Sequence, residues 1–393
     1  MYAILLCCGL TLDQAIQIFR TSAFDLLIAN ANVASARADE QIAAALPNPS
    51  LSASRGSFQA LSAAVSDSAI SDVVSGRRRL RAEVAHAVTG ATAATRDDIE
   101  RNLELTLKQQ LLAAELAKKA LEFARDARAL SGQTFDLIST RYKAGAVSEA
   151  DVARADVQRL EAEQAVDSAT QALQVAESQL AFLLARGEAV DVSDDLLRVR
   201  AVGANRDEVY RDALAHRPDL AAARLQVERA QSSIDLARHM RVPDFSPSIS
   251  YTRQGSGPNP IQPPTTLLGL TTSLPVLNRY RGENAKAEAD LHAQEIGQQK
   301  VAAQVRADVD ASFAAYQSAH TRVERMQSRL LPQAARARDL VKLQYEKGAA
   351  SLFEFLDAQR TYLATQNEFL QNLSDYWTAV FQMEQASGME LRR

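Results

Sequence analysis

Arg141-Tyr142-Lys143-Ala144-Gly145-Ala146-Val147-Ser148 is written a second time, with variation, as Gln344-Tyr345-Glu346-Lys347-Gly348-Ala349-Ala350-Ser351. From Tyr142 to Tyr345 is a step of 203 residues, and the same step carries Asp151 onto Glu354, Val152 onto Phe355 and Ala155 onto Ala358. It also carries Val74-Ser75-Gly76-Arg77 onto Leu277-Asn278-Arg279-Tyr280. Nearer the start, a step of 194 relates Ser22-Ala23-Phe24-Asp25-Leu26 to His216-Arg217-Pro218-Asp219-Leu220. Leu46-Pro47-Asn48-Pro49-Ser50 likewise resembles Val242-Pro243-Asp244 with Ser246-Pro247-Ser248, allowing a gap. A long-period repeat means that one supersecondary unit has been built twice. Each half is expected to run helix, β-hairpin, long helix, glycine turn, helix. Gly145 and Gly348 read as C-cap glycines that permit a left-handed turn. Ser148-x-x-Asp151 and Ser351-x-x-Glu354 read as capping boxes that open the next helix.

The breakers agree with that order. Pro47 and Pro49 come early, none lies between Ser50 and Arg217, eight fall from Pro218 to Pro275, and Pro332 stands alone. The proline-free window is rich in Ala, Leu, Glu, Gln and Arg and reads as helix. Within Arg241–Asn278, Leu268, Leu270, Thr272, Leu274 and Val276 alternate with mostly small or polar residues, the signature of a strand. The second hairpin is therefore placed at about 246–277, with its turn in 254–264. The first is placed at about 50–74, where the sequence is rich in small residues and alternates poorly. From Gly282 to about Tyr345, Ala302, Val305, Val309, Phe313, Tyr316, Val323, Met326, Leu330, Ala334, Ala337 and Val341 recur near every 3.5 residues, a coiled-coil period. Pro332 is expected to kink that helix rather than end it. The chain divides into an apolar segment 1–10, a first repeat 11–190 with its turn at 143–148, a mixed-polarity linker 191–206, and a second repeat 207–388 with its turn at 346–351.

Composition narrows the function. A chain of 393 residues with net charge −4 is not expected to bind nucleic acid, which needs a concentrated basic face for its phosphates. Cys7 and Cys8 are adjacent and alone, and His86, His216, His239, His292 and His320 are scattered, so no metal, cofactor or catalytic set is expected and the chain does not read as an enzyme. His239-Met240 reads as packing rather than a metal site, and Trp377 as core. No stretch approaches the roughly 20 apolar residues of a membrane-spanning helix. Met1–Leu10 is short and has no basic leader, so it reads either as the remnant of a signal sequence or as a small buried segment. Leu5-Leu6-Cys7-Cys8 faintly suggests a lipidation box.

Four strands from one chain cannot close a barrel, and an open edge in lipid would leave backbone groups unsatisfied. Three copies would supply twelve strands, enough for a closed barrel, with the helices forming a second tube beneath. In this order of elements the chain resembles the TolC-like outer membrane efflux protein family, the exit ducts of tripartite efflux pumps. The likeness covers about residues 10–388. It is carried by Thr11-Leu12-Asp13-Gln14-Ala15, His216-Arg217-Pro218-Asp219-Leu220, Leu331-Pro332-Gln333-Ala334, and Tyr345-x-x-Gly348 leading to Leu356-Asp357-Ala358-Gln359. In tone it is nearest the cobalt-zinc-cadmium-type branch.

The resemblance implies a mainly α protein with a small β part: a homotrimer with a twelve-stranded outer membrane barrel and a long periplasmic coiled-coil α-barrel. It implies passive conduction from periplasm to exterior in a Gram-negative cell, with an adaptor (membrane fusion) protein, an inner-membrane pump and outer membrane lipid as partners. It places a gate at the periplasmic tip, on Asp151, Tyr345, Glu354 and Asp357, with Gly145 and Gly348 at the tip turns. Glu354 and Asp357 are three apart and share a helix face, so a trimer would make each position a ring of carboxylates. Where family members carry an arginine two residues after the second turn glycine, this chain has Ala350, so a latch built on that arginine is not expected. Capping alone would also account for Asp151 and Glu354, and Tyr142 and Tyr345 read as packing residues beside a turn. The run Arg77, Arg78, Arg79 and Arg81 reads as a membrane-interface anchor or a solvated helix start. Two other classes fit a long helical hairpin, a periplasmic adaptor and a soluble coiled-coil scaffold; an adaptor would carry its hairpin once. Cargo stays open among metal ions, drugs and polypeptides.

Overall fold

The structure, a computed structural model, describes residues 9–56, 60–188, 190–193, 196, 198–199, 202–203, 205–255 and 262–391. Residues 1–8, with most of the apolar start and Cys7-Cys8, lie outside the described residues. The first half runs α1 (Leu12–Ser22), α2 (Phe24–Ala44), β1 (Ser50–Arg55), β2 (Leu61–Ser66), α3 (Ala69–Val74), α4 (Arg77–Lys143) and α5 (Glu149–Leu183). The second runs α6 (Arg206–His216), α7 (Pro218–His239), β3 (Asp244–Gln254), β4 (Gln262–Ser273), α8 (Arg281–Arg325), a π-helical turn (Met326–Leu330), α9 (Leu331–Glu346) and α10 (Leu352–Ser387). Two hairpin edges differ from the expectation. Residues 69–74, assigned by sequence to the first hairpin, form the short helix α3, and β4 ends at Ser273 rather than near 277. The chain gathers into two compact units, each drawing on both halves: one from the chain up to Ile28, Ile99–Arg217 and Gln304 onward, the other from Ala29–Asp98 and Pro218–Ala303.

The second unit contains the sheet. All four strands are antiparallel in the order β1-β2-β3-β4, leaving β1 and β4 as edges. Register puts Leu51 opposite Val65, Val65 opposite Ile249, and Ile249 opposite Leu268, one continuous apolar row. The next row on the other face is Ser50, Ser66, Ser248 and Gly269. Because successive side chains leave a strand on opposite sides, one face carries Leu51, Ala53, Ala63, Val65, Pro247, Ile249, Leu268 and Leu270, and the other is dominated by Ser and Thr. The first hairpin therefore does alternate; alanine and serine in place of larger residues hide the period. On the hydroxyl face Ser50 and Ser66 are 2.7 Å apart, as are Ser54 and Ser62. A Cβ on Gly269 would stand 2.7 Å from the Ser248 Oγ, so glycine keeps that row flat. Pro247 sits in an inner strand without breaking the ladder: its carbonyl accepts from Asp67 N just past the end of β2, and its missing N–H faces the same side.

Where the strands enter this unit, buried Arg77 bonds Asp244 and the Val242 carbonyl. Ser71 Oγ accepts from Phe245 N at 3.1 Å, Arg81 pairs with Asp72, and Arg78 donates to the Ala44 carbonyl at 2.6 Å. Three of the four clustered arginines thus have fixed structural partners, and exposed Arg79 pairs with Glu83 one turn on.

The first unit is helical. Thr11 and Gln14 form the capping box that starts α1. Trp377, Tyr376, Phe19, Phe381, Leu107, Leu111, Leu112 and Leu180 are among its largest buried side chains. Along α8 and the turn after it, Val305, Val309, Ser312, Tyr316, Ala319, Val323 and Met326 are buried at alternating steps of four and three, a 3.5-residue seam. Phe313, expected on that seam, yields its place to Ser312. The π-helical turn follows, where Leu331 N bonds the Met326 carbonyl five residues back, immediately before Pro332, which has no N–H to offer. This turn moves the seam to Leu331, and Leu330, expected inward, is 44% exposed.

Other contacts tie this unit together. Leu10 bridges Val192, while Val192, Leu196 and Val202 are buried, so the described part of the 191–206 linker is packed down rather than loose. Tyr316 Oη donates to the Val202 carbonyl at 3.0 Å. Buried Lys108 meets Glu384 at 3.0 Å and Glu104 at 2.8 Å. Burial is the largest influence on that lysine and would lower its pKa, but the two carboxylates outweigh it and hold it raised, so it stays charged.

Candidate gate at the paired helix turns

The two turns that opened the sequence reading lie in the first unit and have the same backbone. After α4, Gly145 N bonds the Tyr142 carbonyl at 2.8 Å and Ala146 N the Arg141 carbonyl at 2.9 Å. After α9, Gly348 N bonds Tyr345 at 3.1 Å and Ala349 N bonds Gln344 at 2.8 Å. Both are Schellman closures on a left-handed glycine, with φ of +75° at Gly145 and +77° at Gly348.

Each turn then starts a helix with a capping box. Ser148 Oγ accepts from Asp151 N at 3.3 Å, and Asp151 Oδ2 accepts from Ser148 N at 3.2 Å. Ser351 Oγ accepts from Glu354 N at 3.2 Å, and Glu354 Oε2 accepts from Ser351 N at 2.7 Å. That backbone hydrogen bond, with the Ser351 hydroxyl second, holds the Glu354 carboxyl below its ordinary range. Two of the three acids named from sequence thus have a local structural task.

The other two candidates stand differently. Tyr345 is 4% exposed and stacks on Phe355 with centroids 5.3 Å apart, within a cluster completed by Ile138, Ala155 and Leu352. Asp357 is exposed and lines a cavity of about 440 Å³ with Arg154, Val157, Phe353, Leu356 and Arg360. No hydrogen bond or ion pair among the described residues joins Asp151, Glu354 and Asp357 to one another.

Sequence reasoning missed Arg141. Its guanidinium lies 4.6 Å from the Tyr345 ring centroid and donates to the carbonyls of Tyr345 at 3.3 Å and Glu346 at 3.2 Å. Those carbonyls are orphans of the α9 C-terminus, where a cation also meets the negative end of the helix dipole. The first turn therefore caps the second. The available signal was the charge difference at the first position of the repeated octapeptides, Arg141 against Gln344.

Among the described residues no group of three or more His, Cys, Asp or Glu is arranged to hold a metal ion. No described helix is long and apolar enough to cross a membrane.

Residues 209–389 match the outer membrane efflux protein family. The cobalt-zinc-cadmium resistance protein CzcC of Cupriavidus metallidurans is 23% identical over 389 residues, covering 96% of this chain and 90% of the relative. A membrane protein from Pseudomonas aeruginosa superposes with a TM-score of 0.82 at 20% identity, over 96% of this chain and 92% of that one. The open state of the MtrE outer membrane channel of Neisseria gonorrhoeae gives 0.80 at 20% identity, over 97% and 90%. Both structures share the fold.

Proposed function

We propose that the chain is a member of the TolC-like outer membrane efflux protein family, and that three copies close one twelve-stranded barrel in the outer membrane above a helical periplasmic duct. It is the outer membrane duct of a tripartite efflux pump. The observation that carries the assembly is the sheet, with four strands, two unpaired edges, one apolar face and one hydroxyl face. Lipid requires the apolar face outside and tolerates no free edge, so β1 of one copy pairs with β4 of the next. The hydroxyl rows then line the exit. The charged residue on that face at the strand entry, Asp244, is neutralised by Arg77, so the exit offers water-like hydrogen bonding and little discrimination by charge.

Conduction is passive, an adaptor and an inner-membrane pump supplying cargo and energy. The gate stands at the paired turns, where Asp357 becomes a ring of three exposed carboxylates, while Asp151 and Glu354 set the helix starts that aim it. The test is expression behind a signal peptide in a Gram-negative host, with cross-linking of the outer membrane fraction and conductance in planar bilayers. A cross-linked trimer whose cation preference drops in Asp357→Asn is expected. A soluble monomer or dimer would return the chain to the coiled-coil scaffold class, and inner-membrane material would point to an adaptor.

A further inference from the structure

At the end of the sheet where β3 begins and β4 ends, Asp244 pairs with Ser273, and the flanking segments form a collar. Leu274 and Val276 continue the parity of the apolar strand positions Leu268 and Leu270 and are exposed, and Leu277 is 100% exposed. Beside them α3 presents Ile70, Val73 and Val74 to solvent. A cavity of about 350 Å³ opens here, lined among others by Met240, Val242, Leu274 and Val276 with Arg77 and Asn278. Arg241, Arg279 and Arg281 are exposed around this apolar surface, and none has a carboxylate at ion-pair distance among the described residues.

We propose that this collar binds anionic phospholipid headgroups at the membrane surface, with Leu274, Val276 and Leu277 in the acyl boundary and Arg241, Arg279 and Arg281 on the phosphates. The inference rests on the barrel reading above and adds a ligand to it. Two observations favour lipid over a second copy of the chain. The exposed Leu274, Val276 and Leu277 follow directly in the chain on β4, whose Leu268 and Leu270 lie on the strand face assigned to lipid. The collar's own acids already have partners, Asp244 in Arg77, Asp72 in Arg81, Glu83 in Arg79, Asp67 in the Ala69 N–H and Glu283 in the Asn278 amide, so a neighbouring copy brings no unpartnered carboxylate from this level among the described residues. Arginines beside exposed aliphatic side chains suit the headgroup layer, where the phosphate supplies the missing counter-charge and the aliphatic groups leave water.

The test uses the full assembly purified in detergent and delipidated, titrated with phosphatidylglycerol or phosphatidylcholine and read by native mass spectrometry. Wild type should retain phosphatidylglycerol in preference. The triple variant Arg241→Gln/Arg279→Gln/Arg281→Gln should lose that preference by about five-fold per arginine at low salt. The corresponding triple lysine variant should keep most of it, and Arg79→Gln, which removes an equally exposed but paired arginine, should change nothing. An unaltered preference in the triple glutamine variant would overturn the proposal. So would dissociation of the assembly with no change in lipid preference, which would give the collar to a neighbouring copy. Oligomeric state and outer membrane location, recorded on the same preparation before lipid is added, separate the two readings. A chain that never reaches the membrane fails the duct, whereas an assembled chain indifferent to headgroup charge fails the collar alone.

Discussion

Tyr142 and Tyr345 occupy the same place in two turns of one backbone design, yet the first is 44% exposed and the second 4%. Both lie in the last turn of a helix, both precede a glycine near φ +75°, and both lead into a serine-capped helix. The difference arises outside the turn. Tyr345 has Phe355 beneath it and Arg141 above it, whereas position 344, the counterpart of Arg141, is glutamine. Backbone requirements, the left-handed residue and the satisfied cap, were kept in both copies because either turn fails without them. Side-chain burial was not so constrained, and the second turn became a small core that leans on the first. The pair is asymmetric in dependence.

Truncating the two tyrosines tests that dependence most severely. Tyr345→Ala should cost about 3 kcal/mol, the loss for a buried aromatic side chain, and Tyr142→Ala about 0.5 kcal/mol or less. Equal falls in melting temperature would end the distinction between the turns. Tyr345→Phe sharpens it further: the buried Oη has no hydrogen-bond partner among the described residues, so this variant should match or exceed wild-type stability.

Next in size is Arg141→Ala, which removes a ring contact and two carbonyl bonds and should cost about 2 kcal/mol. Lysine at 141 should recover little, because it cannot reach two carbonyls while lying flat on the ring. Hydrogen exchange should report the loss at the end of α9, and a change confined to α4 would contradict the cross-turn cap.

Gly145→Ala and Gly348→Ala should each cost about 1–2 kcal/mol, and by nearly the same amount. A Cβ at either glycine meets nothing within 4 Å, so the cost is backbone strain alone, to be read from paired thermal melts. Unequal costs would show that the turns differ in backbone as well as packing.

The smallest effect is a pH dependence. Because its carboxyl is held below the ordinary range, folded Glu354 binds a proton less readily than it does unfolded. Its contribution is therefore complete above the ordinary glutamate pKa and lost as pH falls through the lower folded value. The melting temperature of Glu354→Gln should lie a constant interval below wild type near neutral pH, and the interval should close on acidification. An interval that widens in acid would refute the assigned direction.

Much of this was legible because it rests on local rules. Glycine and serine at fixed offsets declare turns and caps whatever surrounds them, and Val305, Val309, Tyr316, Val323 and Met326 mark a 3.5-residue seam by themselves. Ser312 and Ala319, which complete the seam, do not register on a scale that counts large apolar residues. The π-helical turn before Pro332 then shifts the phase by an amount that periodicity alone does not reveal. In the first hairpin, Ala53 and Ala63 share the apolar face with Leu51 and Val65, but alanine is too small to announce a face. At the sheet's exit the left-handed residues are Gly76 and Tyr280, so α4 and α8 begin at Arg77 and Arg281, one residue beyond the step the turns obey. Arg141 was hidden for another reason, since its acceptors lie 204 and 205 positions along the chain. Asp151 and Glu354 were correctly read as caps. Asp357 would belong to a ring only in the proposed trimer, which one copy's sequence does not display.

The free edges at β1 and β4 have a genetic consequence. In the proposed trimer each copy is both donor and acceptor of an edge, so a single copy with a damaged β4 spoils the closure offered by two sound ones. When damaged and intact alleles are expressed together, the share of intact ducts should fall as the cube of the intact fraction rather than in proportion to it. A lesion in β1 or β4 should therefore behave as dominant, whereas an allele that abolishes synthesis should behave as recessive.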